Sequence, residues 1–271
     1  MSAELEIKLN IGAEALQKLL DSPLVKEKII SGSEGVYRLE TSYYDTPSFK
    51  LMHSGIAYRV RKNGDKYEAT IKTEEASYGG FSSRNEYNID LPDGRPVLQG
   101  FKEAGFNAGV EKILDGEPLE KLFTVDVERR LCLLKVSEKT TLEMAVDCGK
   151  ITGSGGECLI NETELEIKNG TKADLIAYTA QIAGLVPVAV EPRSKYERGM
   201  KLCGNDISRE IPHGKLKKID VKAPARSEML SLYYYYADQC LRLQNKMAED
   251  KVLLAEADEV MLPRVRHLQA L

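Results

Sequence analysis

The pentapeptide Glu-Leu-Glu-Ile-Lys occurs twice, at Glu4–Lys8 and at Glu164–Lys168. As a β-strand, each copy turns two carboxylates and an ammonium to one face and Leu and Ile to the other. On one solvated antiparallel strand such a face is only surface. Here the pattern recurs: Arg59 and Arg61 flank Val60, Glu68, Thr70 and Lys72 oppose Ala69 and Ile71, Arg84 shares parity with Glu86, and Glu143 with Asp147. If these faces converge, carboxylates from Glu4, Glu6, Asp147, Glu164 and Glu166 repel one another unless a divalent cation sits among them. An all-oxygen donor set suits Mg²⁺ or Mn²⁺ rather than zinc. Lys8, Arg59, Arg61, Lys72 and Arg84 require an anion of several charges, and guanidinium forks match phosphate oxygens. A metal-bridged oligophosphate meets both demands.

The elements that must position these groups are mainly strands. Segments 3–9, 36–45, 55–62, 66–72, 84–91, 124–136, 140–149 and 159–168 alternate or are rich in β-branched and aromatic residues. Asn63-Gly64 predicts a tight hairpin turn, and Gly79-Gly80 a second turn. Helices are expected at Ala13–Leu20, more weakly at 95–105, and at Ala173–Gly184 with Gly184 as its stop. Closing about eight strands into a barrel would turn the charged faces inward, where ions need partners. The expected fold is α+β: a closed antiparallel eight-stranded barrel with surrounding helices, plus a short C-terminal helical segment.

Composition excludes several classes. With 38 basic and 42 acidic residues the net charge is −4, so the footprint for duplex nucleic acid is absent. "MSAELEIKLN" is charged from residue 4 and does not read as a secretory leader, and no apolar run reaches the length of a membrane span. A cytoplasmic protein without membrane contact is expected. The cysteines, five in number and lacking C-x-x-C spacing, read as reduced thiols. His53, His213 and His267 form no constellation with a nucleophile. Beyond residue 200, "PHGKLKKIDVKAPA" reads as a linker. A helix then starts near Ser227, with Met229, Leu232, Tyr233, Tyr236, Cys240, Leu243 and Met247 in one stripe. One amphipathic helix forms no core alone. It must dock on the first domain, self-associate with another copy, or open a larger helical unit.

The ordered motifs resemble the CYTH, or triphosphate tunnel metalloenzyme, superfamily. Glu4-x-Glu6-x-Lys8 is similar to its ExExK signature. "SYYDTPSFKL" (42–51), "GIAYRVRK" (55–62), "ATIK" (69–72), "SRNEYNI" (83–89), "FTVDVERR" (123–130), "LEMAVDCGKI" (142–151), "ELEIKNG" (164–170) and "SKYERGM" (194–200) follow in the family's order, over about residues 3–202. The combination looks most like bacterial inorganic triphosphatases. The tail from about 225 resembles the start of a CHAD helical domain, and the chain stops at Leu271, well short of a full bundle. The implied organisation is a tunnel domain at 1–203, a linker at 204–224 and a helical tail at 225–271.

That resemblance implies Mg²⁺- or Mn²⁺-dependent hydrolysis of inorganic triphosphate to phosphate and diphosphate. Glu4, Glu6, Asp147, Glu164 and Glu166 are implied as metal ligands. Lys8, Arg59, Arg61, Lys72, Arg84, Arg129 and Lys195 are implied as triphosphate contacts, with Glu4, Glu6, Lys8, Arg59 and Arg61 at the catalytic centre. Parity from Asp126 and Glu128 would instead turn Arg130 inward. Glu86, Glu143 and Lys168 share the inward parity, as structural ion pairs within the lumen or as groups that orient the basic residues or bind metal, and Arg198 reads as structural. The same tunnel would serve ATP cyclisation, or hydrolysis of thiamine triphosphate or nucleoside triphosphates. Outside enzymology the reading is a polyphosphate-binding module.

Overall fold

The computed structural model describes residues 5–78, 81–207 and 220–249, with the backbone alone at 74–78, 81–84 and 245–249. The alternating segments all form strands: β1 (Glu6–Ile11), β2 (Gly35–Asp45), β3 (Ile56–Asn63), β4 (Lys66–Tyr78), β5 (Phe81–Leu91), β6 (Glu120–Lys135), β7 (Thr141–Gly153) and β8 (Gly156–Asn169). A ninth, β9 (Val188–Val190), adds three residues. All pairings are antiparallel, in the order β5-β4-β3-β2-β6-β7-β8-β1-β9.

Two corrections to the expected barrel follow from β1. The sheet has nine strands rather than eight. The outer edge of β1 is divided: Glu6 and Ile7 pair with Ser82 and Phe81 of β5, whereas Leu9–Ile11 pair with β9. Among the described residues the link between the two flanks of the sheet is two residue pairs long, against five between β1 and β8. Full-length closure is not formed, because β9 occupies the edge it would need.

The β3–β4 hairpin is set by Gly64, at φ +60 in the first central position of a two-residue loop, with Asn63 paired to Lys66. Only glycine takes that conformation without strain. The Gly79-Gly80 turn lies outside the described residues.

Seven helices are described: α1 (Ala13–Asp21), α2 (Pro23–Lys26), α3 (Lys50–His53), α4 (Val110–Leu114), α5 (Lys172–Leu185), α6 (Lys195–Leu202) and α7 (Ala225–Glu249). No helix forms at 95–105, where Gly100 and Gly105 sit at φ +95 and +96 and force turns. Gly184 does not stop α5. The helix runs to Leu185 and ends at extended Val186, the residue before Pro187, where the proline ring disfavours helical backbone.

Three apolar clusters hold the sheet. Residues of α1, α2 and α5 cover the outer faces of β1, β6, β7 and β8, with Leu9, Leu19, Leu134, Leu142, Leu165 and Ile182 fully buried. Phe101, Phe106 and Val110 cover Tyr58, Val60, Ala69 and Ile71 on the outer face of β3 and β4. The third cluster lies on the concave side. There Phe123, Val125 and Val127 of β6, Ile151 of β7 and Ile160 of β8 pack against Met200 and Tyr196 of α6. Tyr43 stacks on Phe123 with centroids 4.7 Å apart. A Cβ on Gly199 would come within 2.2 Å of the Phe123 ring, so glycine is what lets α6 seat this closely. The concave side is thus apolar at the α6 end and charged beyond it.

The five cysteines are free thiols, and no helix of the described residues is long and apolar enough to cross a membrane.

Candidate active site

The charged part of the concave side is a cavity of about 640 Å³. Its walls follow from strand parity: Glu6 and Lys8 come from β1, Arg59 and Arg61 from β3, Glu68 and Lys72 from β4, Glu86 from β5, Arg129 from β6, Glu143 from β7, and Glu164, Glu166 and Lys168 from β8. Lys195, the first residue of α6, enters from the side. The structure brings together Glu6, Lys8, Arg59, Arg61, Lys72, Arg129, Glu164, Glu166 and Lys195 of the expected set. Glu4 and the Arg84 side chain lie outside the described residues, although Arg84 is in register opposite Glu74.

Asp147 does not line the cavity directly. It is buried beneath it, where Arg129 donates from Nε to Oδ1 at 2.7 Å and from Nη2 to Oδ2 at 2.6 Å. Arg129 Nη2 also donates to Glu164 at 2.8 Å. Lys195 Nζ lies 2.7 Å from Asp147 and 3.0 Å from Glu164, and contacts Glu162 as well. Arg198 completes the group, bonding Glu162 at 2.8 Å and the Leu159 carbonyl at 2.7 Å. Its structural reading fits that burial. Glu162 has the parity of Glu164 and Glu166 in the same strand, and extending the alternation two residues back would have found it.

Arg130 points outward and pairs with exposed Glu128 at 3.1 Å. The parity argument from Asp126 and Glu128 fails because the inward face of β6 is apolar there, carrying Val125 and Val127 against the α6 cluster. Charge marks the solvated face of this stretch and the inner face only from Arg129 onward.

These oxygens form two acidic groups with different surroundings. Ligand atoms of Asp147, Glu162 and Glu164 lie within 4.8 Å of one another and could hold a metal ion. Three cations already engage them, however, which leaves the group compensated. Burial would raise the Asp147 and Glu164 carboxyls, but Lys195 and Arg129 outweigh it and hold both below the usual range. Burial likewise favours loss of the Lys195 proton, and Glu162, Glu164 and Asp147 overcome that and bind it more tightly. The second group is a row across three strands: Glu6 stands opposite Glu166, and Glu166 opposite Glu143. Lys168 lies 2.9 Å from Glu166 and 3.4 Å from Glu143. This row, all carboxylate oxygen and facing the cavity, matches the donor chemistry of a hard divalent cation.

Across from it the basic wall is crowded. Lys72 pairs with Glu86, which lies 4.0 Å from Arg59. Arg59 Nε is buried, with no hydrogen-bond partner among the described residues. Arg61 donates to Thr41 Oγ1 at 3.3 Å and has no carboxylate within ion-pair distance among the described residues. Arg59 first, then burial, then Arg129 push its pKa down to about 9. A guanidinium stays charged at neutral pH, so this shift is like-charge repulsion that a bound anion would relieve. Lys8 Nζ donates to the Arg193 carbonyl at 3.2 Å. His53 is at the rim. Among the described residues no serine, cysteine or histidine forms a nucleophile–base pair there.

An antiparallel sheet whose concave side carries both acidic and basic groups defines a charged pocket. Residues 2–200 match the CYTH domain family, and the chain belongs to it. It is 28% identical over 211 residues to the inorganic triphosphatase of Haemophilus influenzae, covering 74% of this chain and 55% of that protein. The chain thus spans about half the length of that relative. Among solved structures it is similar to a Hippeastrum adenylyl cyclase candidate with a dominant triphosphatase activity (16% identity, TM-score 0.47, 74% and 96% of the two chains). It is also similar to a Mimivirus capping-enzyme triphosphatase (11%, 0.40, 68% and 89%).

Proposed function

We propose that the protein hydrolyses inorganic triphosphate to phosphate and diphosphate, with Mg²⁺ or Mn²⁺, inside this cavity. The observation that carries the reading is the convergence of Arg59, Arg61 and Arg129 on one concave space, with Arg61 lacking a carboxylate partner among the described residues, beside a row of carboxylates. The likeness to the Haemophilus influenzae protein supports the choice of substrate. The β1–β5 link supports a tunnel in the working protein.

In this reading Arg59, Arg61 and Lys72 grip the phosphate oxygens from one side, and Lys8, Arg129 and Lys195 from the other. Charge that builds on the bridging and terminal oxygens is met by donors already in place, so little reorganisation accompanies the reaction. Glu6, Glu166 and Glu143 hold the metal ion, together with Glu4. When bound, that ion neutralises phosphate charge and lowers the pKa of a coordinated water. A carboxylate of the row would be placed to accept the proton of the attacking water as the bond to the departing diphosphate breaks. Asp147, Glu162 and Arg198 keep Arg129 and Lys195 aimed, and the Asp147, Glu162 and Glu164 oxygens are a second place where the ion could be held.

The test is a substrate panel with product analysis: triphosphate, ATP, thiamine triphosphate and long-chain polyphosphate, each with Mg²⁺, Mn²⁺ and chelator. Metal-dependent release of phosphate and diphosphate from triphosphate, ahead of the others, is expected. Cyclic AMP from ATP, or tight polyphosphate binding with no phosphate release, would replace the reading.

A further inference from the structure

The C-terminal helix meets the rest of the protein through a face that is polar as well as apolar. In α7, Tyr236, Gln239, Arg242 and Leu243 are buried at helical spacing, while Met229, Leu230, Tyr233 and Tyr234 of its first half are exposed. The helix lies against β4. Its Arg242 reaches α6: Nη1 stands 3.7 Å from Glu197 Oε1, with side chains only 7% and 10% exposed. Nε donates to Asp238 one turn earlier at 2.9 Å. The helix therefore touches the two elements that bring Lys72 and Lys195 to the cavity.

Glu197 has a second engagement. Its Oε2 accepts from the Ser194 backbone N–H at 2.6 Å, while Ser194 Oγ accepts from the Glu197 N–H at 3.0 Å. This reciprocal box fixes the first turn of α6, the turn that projects Lys195. One oxygen of Glu197 serves the cap and the other faces Arg242. A buried charged pair is a poor source of plain adhesion, yet it sets geometry well, because each partner is costly to leave alone.

We propose that Arg242 is a positioning residue. Through Glu197 and the cap of α6 it holds Lys195 in register with the cavity, so that the docking of the C-terminal helix governs how tightly triphosphate is taken up. The inference rests on the triphosphate reading for its substrate, but the physical coupling of α7 to α6 does not.

The experiment uses the full chain. Arg242→Met keeps the side-chain stem and removes the charge. Glu197→Gln keeps the capping box, which glutamine also serves, and removes the pair with Arg242. Each is expected to raise KM for triphosphate about tenfold, as a buried pair's coupling allows, with kcat falling less than about threefold. The double variant should be no worse than either single, and Arg242→Lys should recover most of the loss. In parallel, hydrogen exchange without substrate should show faster exchange at the Arg198 amide, which donates to the Ser194 carbonyl, while α7 amides stay protected in Arg242→Met. Wild-type KM in Arg242→Met, additive effects in the double variant, or unchanged α6 exchange would each overturn the proposal. A wild-type protein inert toward triphosphate would remove the functional reading alone, and the exchange arm would then decide the coupling.

Discussion

Arg129 and Asp147 stand directly opposite each other in the β6–β7 ladder and are joined by two hydrogen bonds, at 2.7 and 2.6 Å. Such a fork on a fully buried carboxylate is worth most when one half is removed. Arg129→Ala should destabilise the fold by about 3–5 kcal/mol, because Asp147 is left buried with one cation fewer. Arg130→Ala, on the wet face beside it, should stay within about 0.5 kcal/mol. Urea unfolding of the two variants separates them.

Arg61 should behave in the opposite way. It is crowded by Arg59 and Arg129, so Arg61→Gln relieves repulsion in the empty cavity and is expected to leave the melting temperature equal to or above wild type. The same change should weaken triphosphate binding by about 10- to 100-fold, the loss expected for one charged hydrogen-bond donor. Thermal melts with and without triphosphate give both results. A lower melting temperature without ligand would contradict the crowding argument.

The row formed by Glu6, Glu166 and Glu143 predicts a metal-specific defect. Glu6→Gln should raise the Mg²⁺ concentration for half-maximal phosphate release by on the order of 10- to 100-fold, a range seen even for outer partners of metal ligands. The fold should persist by circular dichroism. Near-normal turnover at low Mg²⁺ would take the metal away from this row.

A pH effect is expected away from the cavity. Hydrogen bonds from Ser48, then from Lys50, hold the Glu117 carboxyl down to about 2, from an ordinary 4.5. The folded pKa lies below the unfolded one, so the contribution is complete above pH 4.5 and is lost as pH falls through about 2. The melting-temperature gap between wild type and Glu117→Gln should be constant near neutrality, narrow below pH 4.5 and close near pH 2. A gap that stays constant into acid would refute the linkage.

Much of this architecture was legible because its strands carry a strict period of two. Both ELEIK copies, Arg59-Val60-Arg61 and Glu68–Lys72 show their inner and outer faces without help from tertiary structure. Reading failed where another contact set the rule. Three residues are too few for β9 to show a period, and it exists because β1 has an edge to offer. The signal at 95–105 was overridden by two glycines at positive φ. In β6 the inner face is apolar opposite α6 and becomes charged only at Arg129. The helix α6 is only eight residues long, although its Ser194-x-x-Glu197 box was there to be seen. The pairing of Arg242 with Glu197 joins residues far apart in sequence, and no local pattern announces it. The CHAD-like reading depends partly on 250–271, which lie outside the described residues.

The aromatic packing of Tyr43, Phe123 and Tyr196 against α6 gives the charged cavity a floor. Tyr43 and Tyr196 line the cavity beside its charged walls, so in the proposed reading the anion's charge is held away from the aromatic side, toward Arg59, Arg61 and Arg129.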